Sequence, residues 1–418
     1  MIEKKHLLNL IDETEKWAID IRRNLHKWPE LSNKEYKTRN KIERELNSFG
    51  ILTERVLETG LVGILKEEKN KYKIEKTVAI RADMDALPIE EESNCNFSSL
   101  NKKVMHACGH DVHMAVLLGT AKVLSYLKEE INGNVKFIFQ PAEETFGGAL
   151  PMIKKGCLTL YKTEDEIKKL DYIIGIHVKP ELTAGTIGLK YGKVHASSDM
   201  FRIIVKGKSC HGAYPDRGVD AIAISAQIVS NVQNIISRNI SPMDSGVISF
   251  GSIHGGDAKN ILADTVILEG IIRALDKSTR EFLKDRLLQV SICTAKANRG
   301  EAKVIFEAGY PSLINDDKTV DLVKKSLYDF YDLVKKDNDY LTEEFKIVNI
   351  KNATMGVDDF SYFLEEVPGA FFFLGSGYED KENSGLHSSN FNVNEDCIRT
   401  GILLEVLSCL KLLDTKII

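Results

Sequence analysis

The amino-acid sequence predicts an α/β protein in which a discontinuous domain with a mainly parallel sheet, flanked by helices, is interrupted by an inserted α+β domain. Three observations carry this expectation. The chain has 418 residues, more than one core of roughly 100 to 200 residues usually accommodates. Short apolar runs alternate with helical segments through its first and last parts, the pattern of strands joined by crossover helices. From residue 184 to residue 298 the order changes to strand, helix, strand, strand, helix, which is self-contained. The expected division is therefore 1–183 with 299–418 for the first domain, and 184–298 for the insert.

Residues 1–27 place Leu7, Leu10, Ile11, Trp17, Ile21 and Leu25 at helical spacing among charges, so they read as an amphipathic helix. No uninterrupted apolar core of a signal peptide occurs there. Three apolar runs that end in polar clusters read as sheet strands: 77–82 before Asp83-Met84-Asp85, 134–139 before Gln140 to Glu144, and 171–176 before His177. In open α/β sheets ligands bind beyond the carboxyl ends of the strands, so these clusters mark where chemistry is expected. Asp111 is a suitable N-cap for a helix carrying Leu117, Ala121, Leu124 and Leu127, with Cys108 and His110 in the loop before it. The charge-rich stretch 66–76 reads as a solvated turn. In the insert, strands are expected at 201–205, 247–252 and 265–272, and helices at 217–238 and 277–298.

Composition narrows the function. Hydrophobic residues at 43% and charged residues at 28% describe a globular protein. A formal net charge of -5, with both signs interspersed, leaves no basic surface for nucleic acid. No apolar stretch reaches the roughly 18 residues of a membrane span. Seven scattered cysteines suggest reduced thiols and a cytoplasmic location.

Residues 105–113 (MHACGHDVH) bring three imidazoles, a thiol and a carboxylate together. Cys108 and His110, separated by one glycine, can converge on Zn²⁺, Mn²⁺, Co²⁺ or Ni²⁺; the plainer alternative is a capped helix with solvated histidines. Glu143 and Glu144 follow an apolar strand, where adjacent carboxylates repel unless a cation or shared proton relieves them. In an extended segment neighbouring side chains point to opposite sides, so one glutamate could ligate while the other acts as general base; a solvated pair is the alternative. His177 alone is as readily a hydrogen-bonded core residue. His387 lies in a small-polar loop, with Asp358 and Asp359 upstream. A Cys108 nucleophile activated by His106 or His110 would leave the glutamates and His177 without a role.

Taken together, the motifs at 23–31 (RNLHKWPEL), 81–89 (RADMDALPI), 105–113, 140–144, 175–178 (GIHV) and 386–388 (LHS) resemble the aminoacylase and carboxypeptidase-like metallohydrolases. The likeness is to the branch of hippurate hydrolases and auxin-conjugate hydrolases, and it spans nearly the whole chain. It implies two divalent ions held by Cys108, His110, Glu144, His177 and His387, with Glu143 as general base. It implies that the insert is a lid and dimerisation domain, so that the protein is a homodimer. His211 would meet the substrate carbonyl, and Asn260 and Arg273 would bind substrate. Asp83 and Asp85 would support the ligands, and Asp358 stands where relatives carry glutamate. The expected reaction is hydrolysis of the amide bond of an N-acyl amino acid. The competing readings are an N-acetyl-diaminopimelate-type deacetylase, a dipeptidase, and a non-catalytic binding protein with a structural metal.

Overall fold

The computed structural model describes residues 1–66, 76–145, 147–162, 167–335 and 345–418. The stretch read as a solvated turn at 66–76 therefore lies, apart from its two ends, outside the described residues. The chain divides into two compact units: Met1–Gly192 with Ile314–Lys351 and Tyr362–Ile418, and Lys193–Leu313 with Asn352–Ser361.

The first unit is built on an eight-stranded sheet in the order Leu52–Val56, Gly60–Leu65, Asn134–Gln140, Thr77–Asp83, Tyr172–Thr183, Gly369–Gly377, Thr186–Leu189, Lys346–Asn349. Its centre is parallel: Thr77–Asp83 pairs in parallel with both Asn134–Gln140 and Tyr172–Thr183, which in turn pairs in parallel with Gly369–Gly377. Thr77–Asp83, Asn134–Gln140 and Gly369–Gly377 are almost wholly buried, as strands covered on both faces must be, which is why their sequences are apolar runs rather than alternating ones. Helix Lys4–Lys27 buries Leu7, Ile11, Ile21 and Leu25, while Leu10 and Trp17 are only partly covered. Helices His110–Tyr126 and Cys397–Leu412 are buried along nearly their whole length, so they are apolar all round and show little amphipathic stripe.

Two expectations fail locally. The third run does not end at His177; the strand continues to Thr183 because Gly369–Gly377 keeps pairing with it after Thr77–Asp83 has stopped. Asp111 is not the N-cap either. Gly109 occupies that position, His110 is the first helical residue, and the Asp111 carboxylate instead receives Arg22 Nε at 2.7 Å and pairs with His26 Nδ1 at 2.8 Å.

The second unit is a four-stranded antiparallel sheet, ordered Gly246–Gly255, Thr265–Ala274, Ser197–Lys206, Glu301–Ala308, with helices Ala221–Asn234 and Lys277–Ala297. Alternation along Ser197–Lys206 buries Phe201, Ile203 and Val205, the period of a sheet with one covered face. Ile224 and Ile228 of the first helix and Leu283 and Leu287 of the second complete that core. The first helix begins at Ala221, not 217, because Asp220 caps it by accepting the amides of Ile222 and Ala223. The unit runs on past residue 298, where the sequence had suggested its end. Glu301–Ala308 is its edge strand, in register with Ser197–Lys206, and Lys193 rather than residue 184 begins it.

Candidate metal centre

The loop before helix His110–Tyr126 is shaped by one residue. Gly109 has φ +79°, and a Cβ there would lie 2.4 Å from Val178 Cγ2. Both the left-handed backbone and the close approach require glycine. The chain thereby wraps Val178, and Cys108 Sγ lies 3.5 Å from His177 Nε2.

His110 turns Nδ1 to the carbonyl oxygen of Asp85 at 2.9 Å. That contact places a hydrogen on Nδ1, since a carbonyl only accepts, so the neutral ring keeps its lone pair on Nε2. Among the described residues His110 Nε2 is buried without a hydrogen-bond partner, 3.8 Å from Glu144 Oε1, which is likewise buried and lacks one. His387, in the left-handed region at φ 63°, is fixed by its amide on the Ala107 carbonyl at 2.8 Å and brings Nε2 to 3.4 Å from Glu144 Oε1.

The glutamates are not arranged as an extended segment would arrange them. Residues 143–145 form a turn following Ala142 at φ 56°. Consequently both carboxylates face the same cluster: donor atoms of His110, Glu143 and Glu144 all lie within 4.8 Å of one another. Asp85 holds this turn. Its Oδ1 accepts the Glu143 amide at 3.1 Å and its Oδ2 accepts the Glu144 amide at 3.0 Å and the Ser32 hydroxyl at 2.6 Å. Asp83 accepts Arg81 Nη1 at 2.7 Å and pairs with His113 Nδ1 at 2.6 Å.

The electrostatics describe a site short of positive charge. Burial opposes charge on His110, but Asp83, Asp85 and Glu144 outweigh it and push the pKa up to about 10. Burial, followed by Glu144, Glu143 and Asp83, holds the Cys108 thiol well above its ordinary value, while burial and then His113 hold His177 well below the ordinary imidazole range. A divalent cation reverses this logic by favouring thiolate and neutral imidazole. The donor set fits such ions. One thiol, three imidazoles and one carboxylate come together as Cys108–His110–His177 and Cys108–Glu144–His387, each group within 4.8 Å. Sulfur and imidazole suit Zn²⁺, Co²⁺ and Ni²⁺, and the carboxylates suit Mn²⁺ as well.

A further group, His26–Glu91–Cys95, has similar spacing but is already satisfied. Burial opposes charge on His26; Asp111 and Glu91 raise its pKa to about 9, and against burial His26 draws Glu91 down to about 2. This is an ion pair that braces helix Lys4–Lys27 against the Asp111 turn. Its signal in the sequence is the motif at 23–31, whose histidine has no other visible purpose.

The remaining predicted residues belong to the second unit. His211 and Asn260 are neighbours, through the Gly212 amide on the Asn260 carbonyl at 2.8 Å and the bridge between His211 and Ile261. Arg273 lies on Thr265–Ala274 opposite Ser198 and Val247. Its Nη1 is buried and has no hydrogen-bond partner among the described residues. Asp358 accepts the Phe360 amide at 2.8 Å in the same unit.

Soft, borderline and hard donors gathered at the strand ends of a mainly parallel sheet are the arrangement of a metal-dependent hydrolase. Comparison with known proteins agrees in class. The sequence profile of peptidase family M20/M25/M40 matches residues 79–408. A thermostable carboxypeptidase of Saccharolobus solfataricus is 38% identical over 98% of both chains. The N-acetyl-L-cysteine deacetylase of Bacillus subtilis is 34% identical, over 99% of this chain and 92% of its own. Among solved structures, the Bacillus subtilis YXEP protein, described as a dinuclear metal binding peptidase of the M20 family, superposes with a TM-score of 0.80 at 30% identity, covering 97% of this chain and all of its own. The chain belongs to peptidase family M20/M25/M40.

Proposed function

We propose that this protein is a metal-dependent amidohydrolase that cleaves the amide bond of N-acyl amino acids with water, using two divalent ions held by Cys108, His110, Glu144, His177 and His387. The observation that carries the reading is the convergence of those five residues, with His110 Nε2 and Glu144 Oε1 buried and without a hydrogen-bond partner among the described residues and the Glu143 carboxylate in the same cluster. When bound, the ions supply a water of lowered pKa and polarise the substrate carbonyl. Glu143 accepts the proton of the attacking water and returns it to the leaving nitrogen as the carbon–nitrogen bond breaks. His211 donates to the developing oxyanion, and Asn260 and Arg273 hold the substrate. Asp85 keeps Glu143 and Glu144 in place through their amides.

The deacetylase relative supports an N-acyl substrate, and the carboxypeptidase relative supports a second reading in which the acyl group is a peptide. The second unit is the proposed lid and homodimerisation element. All seven cysteines are free, and no described helix is long and apolar enough to cross a membrane, which supports the cytoplasm as its place of action. The decisive experiment is chelation followed by reconstitution. Metal-free protein should not hydrolyse N-acetyl or N-benzoyl amino acids, and Mn²⁺, Zn²⁺, Co²⁺ or Ni²⁺ should restore turnover; full activity without metal would refute the reading.

A further inference from the structure

Of the three histidines at 105–113, His113 is fully buried on helix His110–Tyr126, its ring centroid 4.7 Å from that of His177. Its two nitrogens have opposite roles. The Val178 amide lies 2.9 Å from Nε2, and an amide nitrogen only donates, so Nε2 carries a lone pair. The ring hydrogen therefore sits on Nδ1, 2.6 Å from Asp83 Oδ1. Asp83 is anchored in turn by Arg81 Nη1, and Arg81 Nε donates to Gln140 Oε1 at 2.8 Å.

The Val178 amide needs such a partner. The ladder between Thr77–Asp83 and Tyr172–Thr183 stops at Arg81 opposite Gly175, and a buried amide beyond its end must be satisfied by other means. The carbonyl oxygen of the same residue lies 2.8 Å from His177 Nδ1. Val178 is thus gripped at both backbone polar atoms, by His113 on one side and His177 on the other.

We infer that His113 is a positioning residue: as the neutral Nδ1–H tautomer, it fixes the backbone of Val178 so that His177 turns Nε2 toward Cys108 and the metal position. The inference rests on the reading of His177 as a ligand. It also removes His113 from the set of ligands, although Asp83, His110 and His113 offer donors within 4.8 Å of one another. Both of its nitrogens are engaged, and a charged ring would set Nε2–H against the Val178 N–H.

The test uses metal-free full-length protein titrated with Zn²⁺ against a chromophoric chelator. His113→Leu, which removes the acceptor, should weaken one ion by about 10- to 100-fold and leave the other within about threefold. His113→Gln, whose side-chain oxygen can accept from Val178, should recover most of the loss. Equal weakening of both ions in His113→Leu, no weakening of either, or no difference between Leu and Gln would overturn the inference. The nitrogen-15 spectrum of the wild-type histidines decides the matter without a variant: His113 should show a protonated Nδ1 and a bare Nε2, and a doubly protonated or Nε2–H signal overturns the assignment. His177→Ala separates the two layers. Unchanged affinity there removes the ligand reading of His177 and this inference with it, whereas a loss there with none in His113→Leu removes the inference alone.

Discussion

Glu143 and Glu144 are adjacent in sequence and face one cluster in space, and the proposal gives them different roles. Glu144 Oε1 lies between His110 Nε2 and His387 Nε2, at 3.8 and 3.4 Å. Glu144→Gln removes an anionic donor from the centre of the cluster and should be detected first as a loss of bound metal in a chelator competition. Glu143→Gln should keep its metal content and lose turnover by about 10²- to 10⁴-fold, the cost of removing a general base. If both variants retained metal and turned over normally, the division of roles would be wrong. The donors themselves were legible in the sequence, because thiol, imidazole and carboxylate were crowded at the ends of apolar runs. Their common orientation was not. It depends on the turn at 143–145 and on Asp85, which lies far away in sequence and holds that turn through its backbone amides, a contact that leaves no pattern in residue types.

Helix His110–Tyr126 shows what an element adds to its residues. Apolar spacing predicts it, and the preference of aspartate for the cap position places its start at Asp111. The fold gives that carboxylate to Arg22 and His26 instead, a tertiary demand that outweighs a local preference. Gly109 performs the entry, and Gly109→Ala should combine a left-handed backbone with a Cβ 2.4 Å from Val178. The expected cost is about 2 to 5 kcal/mol of stability in urea unfolding of the metal-free protein, from strain and overpacking together. Wild-type stability in that variant would mean that the loop can move away from Val178. On the facing helix, Cys397–Leu412, Glu405 is fully buried, and burial, opposed by Thr120, pushes its pKa up to about 8 from 4.5. Below about pH 4.5 the group is protonated in both folded and unfolded chains and contributes no pH dependence. Between 4.5 and 8 the unfolded chain releases a proton that the folded chain keeps, so stability falls as pH rises, and the penalty is complete above 8. Glu405→Gln should therefore exceed the wild type most above pH 8, by up to about 5 kcal/mol at roughly 1.4 kcal/mol per pKa unit, with the gap closing toward pH 4.5. A gap that does not change with pH would place the ionisation elsewhere.

At the scale of the whole molecule, the change of pattern near residue 184 predicts a second unit, and the sheet of that unit extends past the closing boundary expected at residue 298. Glu301–Ala308 looks like one more strand of an α/β chain, and only its register with Ser197–Lys206 assigns it to the antiparallel sheet. That sheet carries Arg273, whose side chain presents an unmet demand. Nη1 is buried with no hydrogen-bond partner among the described residues, and burial lowers the pKa, with Asp199 opposing. A buried donor without an acceptor is costly, and a guanidinium is best satisfied by a carboxylate in a fork of two hydrogen bonds. The proposed substrate supplies one: the free α-carboxylate of the amino acid released by hydrolysis. An N-acyl amino acid should therefore be cleaved far more efficiently than the same compound with that carboxylate converted to an amide, and Arg273→Ala should erase most of the difference in kcat/KM by slowing the acid rather than hastening the amide. The comparison is made across N-acetyl, N-benzoyl and longer N-acyl amino acids set against dipeptides. Equal rates for acid and amide in the wild type would show that Arg273 does not read the carboxylate, and cleavage confined to dipeptides with a free amine would favour the peptidase reading over the deacylase.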